Sequence, residues 1–403
     1  MKTIGILGAG QLGCMLAESL FKWGATVEFF DPDANAPGKN RSPFFTNSAW
    51  NDEQKLTDFF SSCDVVTYEF ENVSVELLES VSAKTGVPLW PGAQLLATTQ
   101  NRIEEKLFFQ KNNLPHAGFD IIDSREKLES QFNPLLNSRL SQLLPRILKT
   151  ARGGYDGKGQ WMLRNQTDLQ LCLQNLNQSQ QNFPLCVLEQ MVPLWREASC
   201  IVARNDQGQC ETFPIFENIH EHHILAATLC PARIPTETQR LMQDIATRCA
   251  SQLNVIGLLT VEFFLSESPA PNSVAVQSNN LFLYINELAP RAHNSGHITR
   301  TSCNGSQFDA QARILLNLPL FKPKIVNSKI HAMGNLMGDL WPTENGQLHF
   351  ENMSQFENLN EVIFYGKTST RAGRKMGHFN LQADSHEQAL AQIKTFKQCL
   401  TGL

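Results

Sequence analysis

The chain has 403 residues, 42% of them hydrophobic, and a formal net charge of −5, so we expect it to fold as two or three globular domains. The weak negative charge, without a run of lysine or arginine, excludes an electrostatic surface for nucleic acid or for an acidic membrane, and no apolar run reaches the roughly 18–20 residues of a membrane span. Ten cysteines at irregular spacings, without a C-x-x-C pair, fit neither a zinc site nor a disulfide scaffold and favour a reducing cytoplasm.

The first residues predict a strand, a turn and a helix. Thr3 to Leu7 form a short apolar run, the glycine motif GAGQLG follows, and apolar residues then recur at helical spacing as far as Trp23. This start is therefore not expected to be a signal peptide. Further apolar runs, TVEFF and DVVTYEF, alternate with helical segments, one of them capped by Ser74. The alternation predicts a parallel, doubly wound sheet that ends near Pro91 to Thr99.

The glycine motif itself, Gly8 to Gly13, matches G-x-G-x-x-G, and Asp31 closes the next strand where a ribose-binding acid would lie. Taken alone, the motif indicates NAD. A glycine turn at a helix N-terminus, however, can hold any phosphate, because its N–H groups and the helix dipole favour anions. Three interpretations stay open: a dinucleotide, another phosphate, or tight packing of strand against helix without a ligand.

From Asn101 the chain changes character. RIEEKLFFQKNN predicts a helix that stops before Pro115, and QNLNQSQQNF, Gln174 to Phe183, predicts a surface loop because it is nearly of low complexity. Strand-like runs and the long helix TETQRLMQDIATRCASQL indicate a mixed α+β region to about Leu316. The remaining residues, with a proline-interrupted KPKIV and a last helix, predict a small third unit.

A second glycine run, KTARGGYDGKGQ, extends from Lys149 to Gln160 and carries the cationic side chains Lys149, Arg152 and Lys158. It lacks the G-x-x-x-x-G-K-[ST] pattern of a Walker A loop and does not open a helix. The alternatives are a flexible, cationic cover over phosphates and a plain hairpin turn. The density of charge and glycine favours the cover.

The densest group of polar residues is INELAPRAHNSGH, Ile285 to His297, which follows an apolar run. Pro290 forbids continuation of the strand, so we expect a buried strand that ends at a cleft. Glu262 lies inside the apolar TVEFF, where an ionised side chain needs a partner. With Glu287 it would make a two-carboxylate magnesium site that leaves room for phosphate oxygens. An ordinary polar loop after a strand is the alternative.

Three further patterns are weaker signals. EQMVPLWREAS places Glu189 and Glu197 at a strand end, where one could accept from nucleotide hydroxyls, although surface glutamates are usually only solvated. HEHH, His220 to His223, lacks the i, i+4 histidine pair and the cysteines of a zinc site, so it predicts a polar loop with at most one functional histidine. The basic YGKTSTRAGRKMGH, with Lys367 and Arg374, is either a solvated loop or an anion site.

Six motifs in this order, GILGAGQLG, TYEFENV, GGYDGKGQ, EQMVPLWREAS, INELAPRAHNSGH and GRKMGH, resemble those of the 5-(carboxyamino)imidazole ribonucleotide synthases, ATP-grasp ligases of purine biosynthesis. The resemblance covers essentially the whole chain. It implies an α/β and α+β architecture, with a Rossmann-like parallel-sheet domain over 1–99, an ATP-grasp domain over 100–316 and a small C-terminal domain over 317–403. It also implies a cytoplasmic homodimer that uses ATP and magnesium.

The family's reaction converts aminoimidazole ribonucleotide, bicarbonate and MgATP into the carboxyamino nucleotide, ADP and phosphate, by way of carboxyphosphate. The matching motif positions imply a nucleotide site of Arg102, Lys149, Gly154, Tyr155, Asp156, Gly157, Lys158, Gly159, Gln160, Glu189, Gln190, Met191, Val192, Glu197, His220, Asn286 and Glu287, with magnesium on Glu262 and Glu287. They imply a site for the ribonucleotide and bicarbonate of Gln11, Leu12, Tyr155, Asp156, Arg291, His293, Asn294, Lys367 and Arg374. The implied catalytic residues are Asp156, Arg291 and Lys367, and Asp156 is expected to relay the proton of the amine.

Two positions depart from the family's motifs. Cys14 follows GQLG where relatives often carry arginine, which leaves the phosphate contacts of the first domain less well defined. Ala292 replaces a proline or valine, a change expected to be minor. The alternative functions are another ATP-grasp ligase with a different amine, an NAD-dependent dehydrogenase, and a nucleotide-binding protein without turnover. No nucleic-acid or membrane partner is expected.

Overall fold

The computed structural model describes residues 2–133, 144–154, 158–179, 183–341 and 348–401. The chain divides into two compact units. The first unit consists of Met1–Leu96, Ser199–Thr260 and Ala289–Leu403, and the second unit consists of Ala97–Ala198 and Val261–Leu288. In the described part of the chain, no helix is both long enough and apolar enough to cross a membrane.

The first unit begins with a four-stranded parallel sheet. Its strands, in the spatial order β3, β2, β1, β4, are β1 (Thr3–Leu7), β2 (Thr26–Phe30), β3 (Phe44–Thr46) and β4 (Val65–Tyr68). The helices along this part of the chain are α1 (Gln11–Phe21), α2 (Glu53–Ser61), α3 (Val75–Thr85) and α4 (Ala93–Thr99). Ser74 caps α3 as predicted, because its side chain accepts from the N–H of Leu77 at 3.2 Å. The predicted parallel sheet is confirmed.

The remainder of the first unit is built on antiparallel pairing. Its strands include β10 (Cys210–Thr212), β11 (Phe216–Glu221), β12 (Ile224–Cys230), β16 (Ile330–Met337), β17 (Leu359–Phe364) and β18 (Lys375–Ala383). Its helices are α8 (Thr236–Gln252), α9 (Thr299–Ser302), α10 (Gln307–Leu315) and α11 (His386–Thr401). Because β12 pairs with β16 and β16 with β18, the C-terminal strands extend the sheet that contains β11 and β12.

The histidine run HEHH lies at the hairpin between β11 and β12. His220 and Glu221 are the last residues of β11, so the predicted loop is wrong for these two residues. His222 and His223 form the turn, with φ of 51° and 65°. Left-handed backbone at two successive positions is typical of a tight hairpin turn. The turn confines the loop to the last two histidines.

The second unit contains a four-stranded antiparallel sheet, in the order β5, β8, β6, β7. Its strands are β5 (Phe119–Ile122), β6 (Arg146–Thr150), β7 (Gln160–Leu163) and β8 (Cys186–Gln190). Its helices are α5 (Arg102–Lys111), α6 (Arg125–Gln131) and α7 (Gln166–Ser179). A hairpin joins β14 (Val276–Ser278) to β15 (Leu281–Ala289). Three strands have residues in both units: β9 (Leu194–Arg204), β13 (Gly257–Ser266) and β15, whose last residue belongs to the first unit.

The passage rich in glutamine and asparagine is helical over its first residues and not a loop. Residues from Gln174 to Ser179, predicted as loop, belong to α7. Leu169, Cys172, Leu173 and Leu176 recur every three or four residues and are buried in the core of the second unit. Glutamine is a good helix former, so a biased composition concealed an amphipathic helix.

Candidate active site

A buried cluster of charges lies in the second unit around Glu189, at the end of β8. Its side chain is 4% exposed, with Lys106 Nζ 3.5 Å from Oε1 and Lys149 Nζ 3.1 Å from Oε2. Burial opposes ionisation of this carboxyl, but the charges of Lys106, Lys149 and Arg102 lower its pKa to about 2. The carboxylate is therefore ionised and fixes two lysines inside the unit.

Helix α5 holds the end of β15 through three successive contacts. Arg102 Nη1 lies 3.0 Å from Glu287 Oε2. Lys106 Nζ donates to the backbone carbonyl of Asn286 at 2.9 Å, and Glu105 Oε1 accepts from the N–H of Leu288 at 2.7 Å. Two of the residues implied for the nucleotide, Asn286 and Glu287, are thus positioned by one helix.

Glu105 and Lys106 were not assigned a role from the sequence. Both are at most 2% exposed, next to the buried Ile103 and Phe109 of the same helix. The signal for a role in the site would have been a glutamate and a lysine on the apolar face of the helix, because such residues are rarely buried unless they are paired. The segment RIEEKLFFQKNN contains three other charged residues, so Glu105 and Lys106 did not stand out in the sequence.

The carboxyl of Glu105 leads to a prediction about stability. Burial raises its pKa from 4.5 to about 8, so the carboxyl ionises more readily in the unfolded chain than in the folded one. Its contribution to stability is therefore fully present below the unfolded-state pKa and is lost as pH rises through about 8. We expect Glu105→Gln, which keeps an acceptor for Leu288, to remove a pH-dependent loss of about 3–4 kcal/mol in urea unfolding between about pH 5 and 8.

The matched control is Glu104→Gln, on the exposed side of the same helix. It should leave the pH dependence of the unfolding free energy as it is in the unmodified chain. Equal slopes for the two variants would contradict the role given to Glu105.

The two carboxylates implied for magnesium lie on neighbouring strands, Glu262 on β13 and Glu287 on β15. Among the described residues, no group of three or more histidine, cysteine, aspartate or glutamate side chains could hold a metal ion. The side-chain oxygen Oδ1 of Asn286 is buried and has no hydrogen-bond partner in the described structure. Carboxylate and carboxamide oxygens fit a magnesium ion that takes its other ligands from phosphates and water.

The second glycine run connects β6 to β7, whose Lys149 and Gln160 are partners in the ladder. Tyr155, Asp156 and Gly157 lie outside the described residues. At its ends, Arg102 Nη2 donates to the carbonyl of Gly154 at 3.4 Å, and Gly159 has a φ of 69°. The run connects two paired strands, as a hairpin turn does. It also carries the cationic side chains that a cover over phosphates would need.

The remaining residues implied for the nucleotide are divided between the units. Gln190 and Val192 are buried in the second unit, and the N–H of Gln190 donates to the carbonyl of Gly118 at 2.7 Å. Met191 and Glu197 are half-buried in the same unit, and Lys158 is exposed. His220, in contrast, belongs to the first unit.

The residues implied for the ribonucleotide and bicarbonate belong to the first unit, apart from Tyr155 and Asp156. Arg291 forms a two-pronged ion pair with Glu71, from Nε to Oε2 at 3.0 Å and from Nη2 to Oε1 at 3.1 Å. Its Nη1 donates to the carbonyl of Ala292 at 3.1 Å. These bonds fix the plane of the guanidinium. Glu71 belongs to the motif TYEFENV, but it was not among the predicted site residues.

His293 and Asn294 are held by polar partners at the start of a short 3-10 turn. His293 Nδ1 lies 2.8 Å from Ser295 Oγ, which lies 2.8 Å from Ser199 Oγ. Asn294 Nδ2 donates to Asn335 Oδ1 at 3.2 Å. Each side chain is therefore oriented before any ligand arrives.

Lys367 and Arg374 lie in the C-terminal part of the first unit. Lys367 Nζ donates to the carbonyl of Lys375 at 2.7 Å and lies 5.4 Å from the centre of the Tyr365 ring. Burial, together with the charge of Arg374, lowers its pKa to about 8. Arg374 Nη1 donates to Ser369 Oγ at 2.7 Å. Lys367 is mostly an ammonium at neutral pH and is able to bind an anion.

The glycine turn before α1 contains a carboxylate of the chain itself. Glu69 accepts from the N–H groups of Gly10 at 2.7 Å, Leu12 at 3.2 Å and Gly13 at 3.3 Å. Asp31, which lies where the ribose-binding acid of a dinucleotide site would be, accepts from the N–H of Ala9 at 2.8 Å. Four of the N–H groups that would hold a dinucleotide, those of Ala9, Gly10, Leu12 and Gly13, are therefore already engaged. Cys14 is 6% exposed, and burial raises the pKa of its thiol to about 12.

Comparisons with known proteins agree over nearly the full chain. A preATP-grasp domain model of ribonucleotide synthetases matches residues 1–100, an ATP-grasp domain model matches 107–308, and a phosphoribosylaminoimidazole carboxylase C-terminal domain model matches 331–392. An N5-carboxyaminoimidazole ribonucleotide synthase of Bacillus subtilis (strain 168) is 34% identical over 391 residues, which are 97% of this chain and 94% of that protein.

Two solved structures are similar throughout. An N5-carboxyaminoimidazole ribonucleotide synthetase in complex with ADP has a TM-score of 0.83 and 35% identity, covering 98% of this chain and 96% of the other. The enzyme of Aspergillus clavatus, in complex with ADP and 5-aminoimidazole ribonucleotide, has a TM-score of 0.81 and 26% identity, covering 100% and 99%. The predicted ATP-grasp fold, with its preceding parallel-sheet domain and its C-terminal domain, is confirmed.

Proposed function

The chain belongs to the N5-carboxyaminoimidazole ribonucleotide synthase family, and from this premise we propose how its own residues carry out the reaction. It is an ATP-dependent ligase that carboxylates 5-aminoimidazole ribonucleotide with bicarbonate, by way of carboxyphosphate, and releases ADP and phosphate in purine biosynthesis. The observation that carries this proposal is the ionised Glu189 between Lys106 and Lys149, a buried cationic cluster suited to a nucleotide triphosphate.

In the second unit, we assign Arg102 and Lys149 to the phosphates of ATP, and Gly154 to Gln160 to a cover over them. We assign Glu189 and the backbone through Val192 to bind the adenine, and Glu197 to bind the ribose hydroxyls. His220 and Asn286 complete the surroundings of the phosphates. Glu262 and Glu287 would hold magnesium, which when bound supplies positive charge to the phosphate oxygens.

The first chemical step joins two anions. Bicarbonate oxygen attacks the γ-phosphorus, and the bond to ADP breaks. At about 4 Å two unit charges repel by roughly 1 kcal/mol in water but by about 4 kcal/mol at an effective dielectric near 20, so a dry site requires compensating cations. The ion pair with Glu71 fixes the plane of the Arg291 guanidinium. Arg291 is our candidate for binding the carboxyl group of bicarbonate and of carboxyphosphate.

The second step transfers the carboxyl group of carboxyphosphate to the exocyclic amine of the ribonucleotide: the C–N bond forms, the C–O bond to phosphate breaks, and phosphate leaves. Gln11 and Leu12 at the start of α1, with Lys367 and Arg374, are assigned to its phosphate, and His293 and Asn294 to the reacting carboxyl. Tyr155 and Asp156 are assigned to the imidazole. Asp156 takes the proton that the amine loses as the C–N bond forms.

The test is release of phosphate from ATP by the purified chain. Full rate should require both bicarbonate and aminoimidazole ribonucleotide, and indifference to the ribonucleotide would overturn the assignment in favour of an ATP-grasp ligase for another amine. NADH should not bind, because Glu69 engages the donors of the glycine turn. The homodimer and the division at 1–99, 100–316 and 317–403 stay predictions.

Asp156 supplies a second prediction. Asp156→Asn should lower turnover about 100-fold while sparing the affinity for ATP, because the amide cannot accept the proton of the amine. Steady-state kinetics with ATP and ribonucleotide varied separately would measure both effects. Unchanged turnover would remove Asp156 from this role.

A further inference from the structure

The carboxylate of Glu69 occupies a position that usually receives a ligand. In a glycine turn at the N-terminus of a helix, backbone N–H groups converge on the place where a phosphate binds. Here Gly10, Leu12 and Gly13 donate to the two oxygens of Glu69, at 2.7 to 3.3 Å. The turn therefore has an anion of its own, supplied by a residue that follows β4.

The glycines of the turn are explained by this carboxylate. A Cβ at Gly8 would lie 2.5 Å from Glu69 Cγ, and a Cβ at Gly10 would lie 2.5 Å from Glu69 Oε1. Any larger residue at either position would displace the side chain. Gly8 has in addition a φ of 105°, which other residues rarely adopt. The glycines of GAGQLG, a motif typical of phosphate binding, thus leave space for the side chain of Glu69.

One donor of the turn is left over. The backbone N–H of Gln11, the first residue of α1, has no acceptor among the described residues, and neither does its side chain. Glu69 takes the N–H groups on both sides of it, so that Gln11 alone remains available to an external anion.

We propose that Glu69 is a positioning residue: its carboxylate takes the place of a bound phosphate in the glycine turn and leaves Gln11 as the donor that meets the ribonucleotide phosphate. The inference rests on the proposed function, because it assumes that the ribonucleotide binds at the start of α1. It means that the phosphate binds beside the turn, and that a pyrophosphate has no place inside it.

The charges around the turn agree with this role. Those that act on Glu69 are Arg291, Asp31 and Lys367, and those that act on Lys367 are Arg374, Arg371, Lys375 and Glu69. Burial and the three cations lower the pKa of Lys367, whereas Glu69 raises it. An ionised Glu69 therefore helps to keep Lys367 protonated for the same phosphate.

The first test is chemical rescue of the intact chain. Glu69→Ala removes the acceptor of three N–H groups and leaves a space of the size of a carboxylate, so its melting temperature should fall. Sodium formate should raise it again, relative to sodium chloride of equal concentration. Glu69→Gln, in which an amide fills the space, should gain nothing from formate, and neither should the unmodified chain. If Glu69→Ala fails to fold, formate should increase the yield of its refolding.

The second test is the pH profile. In Glu69→Gln the ammonium of Lys367 should be lost at lower pH, by about half a unit or more, seen as a shift in the high-pH limb of kcat/KM for the ribonucleotide. Acetylation of Lys367 as a function of pH, followed by mass spectrometry, should show the same shift. The control is Glu79→Gln, an exposed carboxylate on α3 of the same unit.

The outcomes separate the two levels of inference. No formate-specific stabilisation of Glu69→Ala, or an unmoved acetylation midpoint in Glu69→Gln, would overturn the role of Glu69. If the unmodified chain shows no turnover that depends on the ribonucleotide, the proposed function fails, while formate rescue and acetylation still decide whether Glu69 occupies the turn and acts on Lys367.

Discussion

Replacing Arg291 with lysine is expected to lower kcat by about 100- to 1000-fold, the range seen when a donor to a developing negative charge is removed. The guanidinium donates along two parallel bonds to Glu71 and along a third to the carbonyl of Ala292. An ammonium is a point charge without this planar fork, so it cannot make the three bonds at once. The carboxyl group of bicarbonate would then meet a cation in the wrong place.

The matched control for this prediction is Arg233→Lys. Arg233 also donates to a carboxylate through two nitrogens, since Nε lies 3.1 Å and Nη2 lies 2.5 Å from Glu217 Oε1. It belongs to the first unit, as Arg291 does. Arg233→Lys should lower the free energy of unfolding, because the ion pair with Glu217 is weakened. It should keep kcat within about twofold, because Arg233 is not among the predicted site residues. KM for ATP should be nearly unchanged in Arg291→Lys. Equal turnover in the two variants would exclude Arg291 from catalysis.

The sequence was sufficient for elements that depend on local pattern. Strand β1, the glycine turn and helix α1 follow from the period of the apolar residues and from GAGQLG, and the cap of α3 follows from Ser74. Glu262 was singled out because a charged residue inside an apolar run is costly, and Glu287 because a dense polar group follows an apolar run; their role in holding magnesium stays a prediction. In each case the signal lies within about ten residues of the chain.

What the sequence could not supply are partners that are distant along the chain. Glu69 lies 59 residues from Gly10, and Glu71 lies 220 residues from Arg291. A motif shows which donors a turn offers but not which acceptor the fold delivers to them. For this reason the glycine turn was open to a dinucleotide, another phosphate or no ligand, and only the tertiary structure identifies Glu69.

The segment INELAPRAHNSGH was predicted to serve two ligands, with Asn286 and Glu287 implied for the nucleotide and Arg291 for the carboxyl group. The boundary of the compact units falls between these residues, at Leu288 and Ala289. Asn286 and Glu287 are held by α5, whereas Arg291 pairs with Glu71. Because Pro290 ends the strand, five residues later the chain serves a different set of partners. The structure thus gives the two parts of the segment different partners, and their binding of the nucleotide and of the carboxyl group stays a prediction.

Lys106→Met should destabilise the chain by about 3 kcal/mol and raise KM for ATP, since breaking a buried ion pair leaves its partner incompletely compensated. Lys106 is buried, and its ammonium serves both Glu189, at 3.5 Å, and the carbonyl of Asn286, at 2.9 Å. Methionine fills a similar volume but donates to neither. The strands that carry Glu189 and Asn286 would lose their common support on α5.

A double-mutant cycle separates the ion pair from the rest of the effect. Glu189→Gln alone should also destabilise, because Lys106 and Lys149 lose the charge between them. Combined with Lys106→Met it should cost less than the sum of the two, with a coupling of about 1–3 kcal/mol in urea unfolding. Lys111→Met, at the exposed end of α5, should change stability by no more than about 0.5 kcal/mol. A coupling near zero would mean that Lys106 acts through Asn286 alone, since the 2.9 Å bond to its carbonyl survives replacement of Glu189.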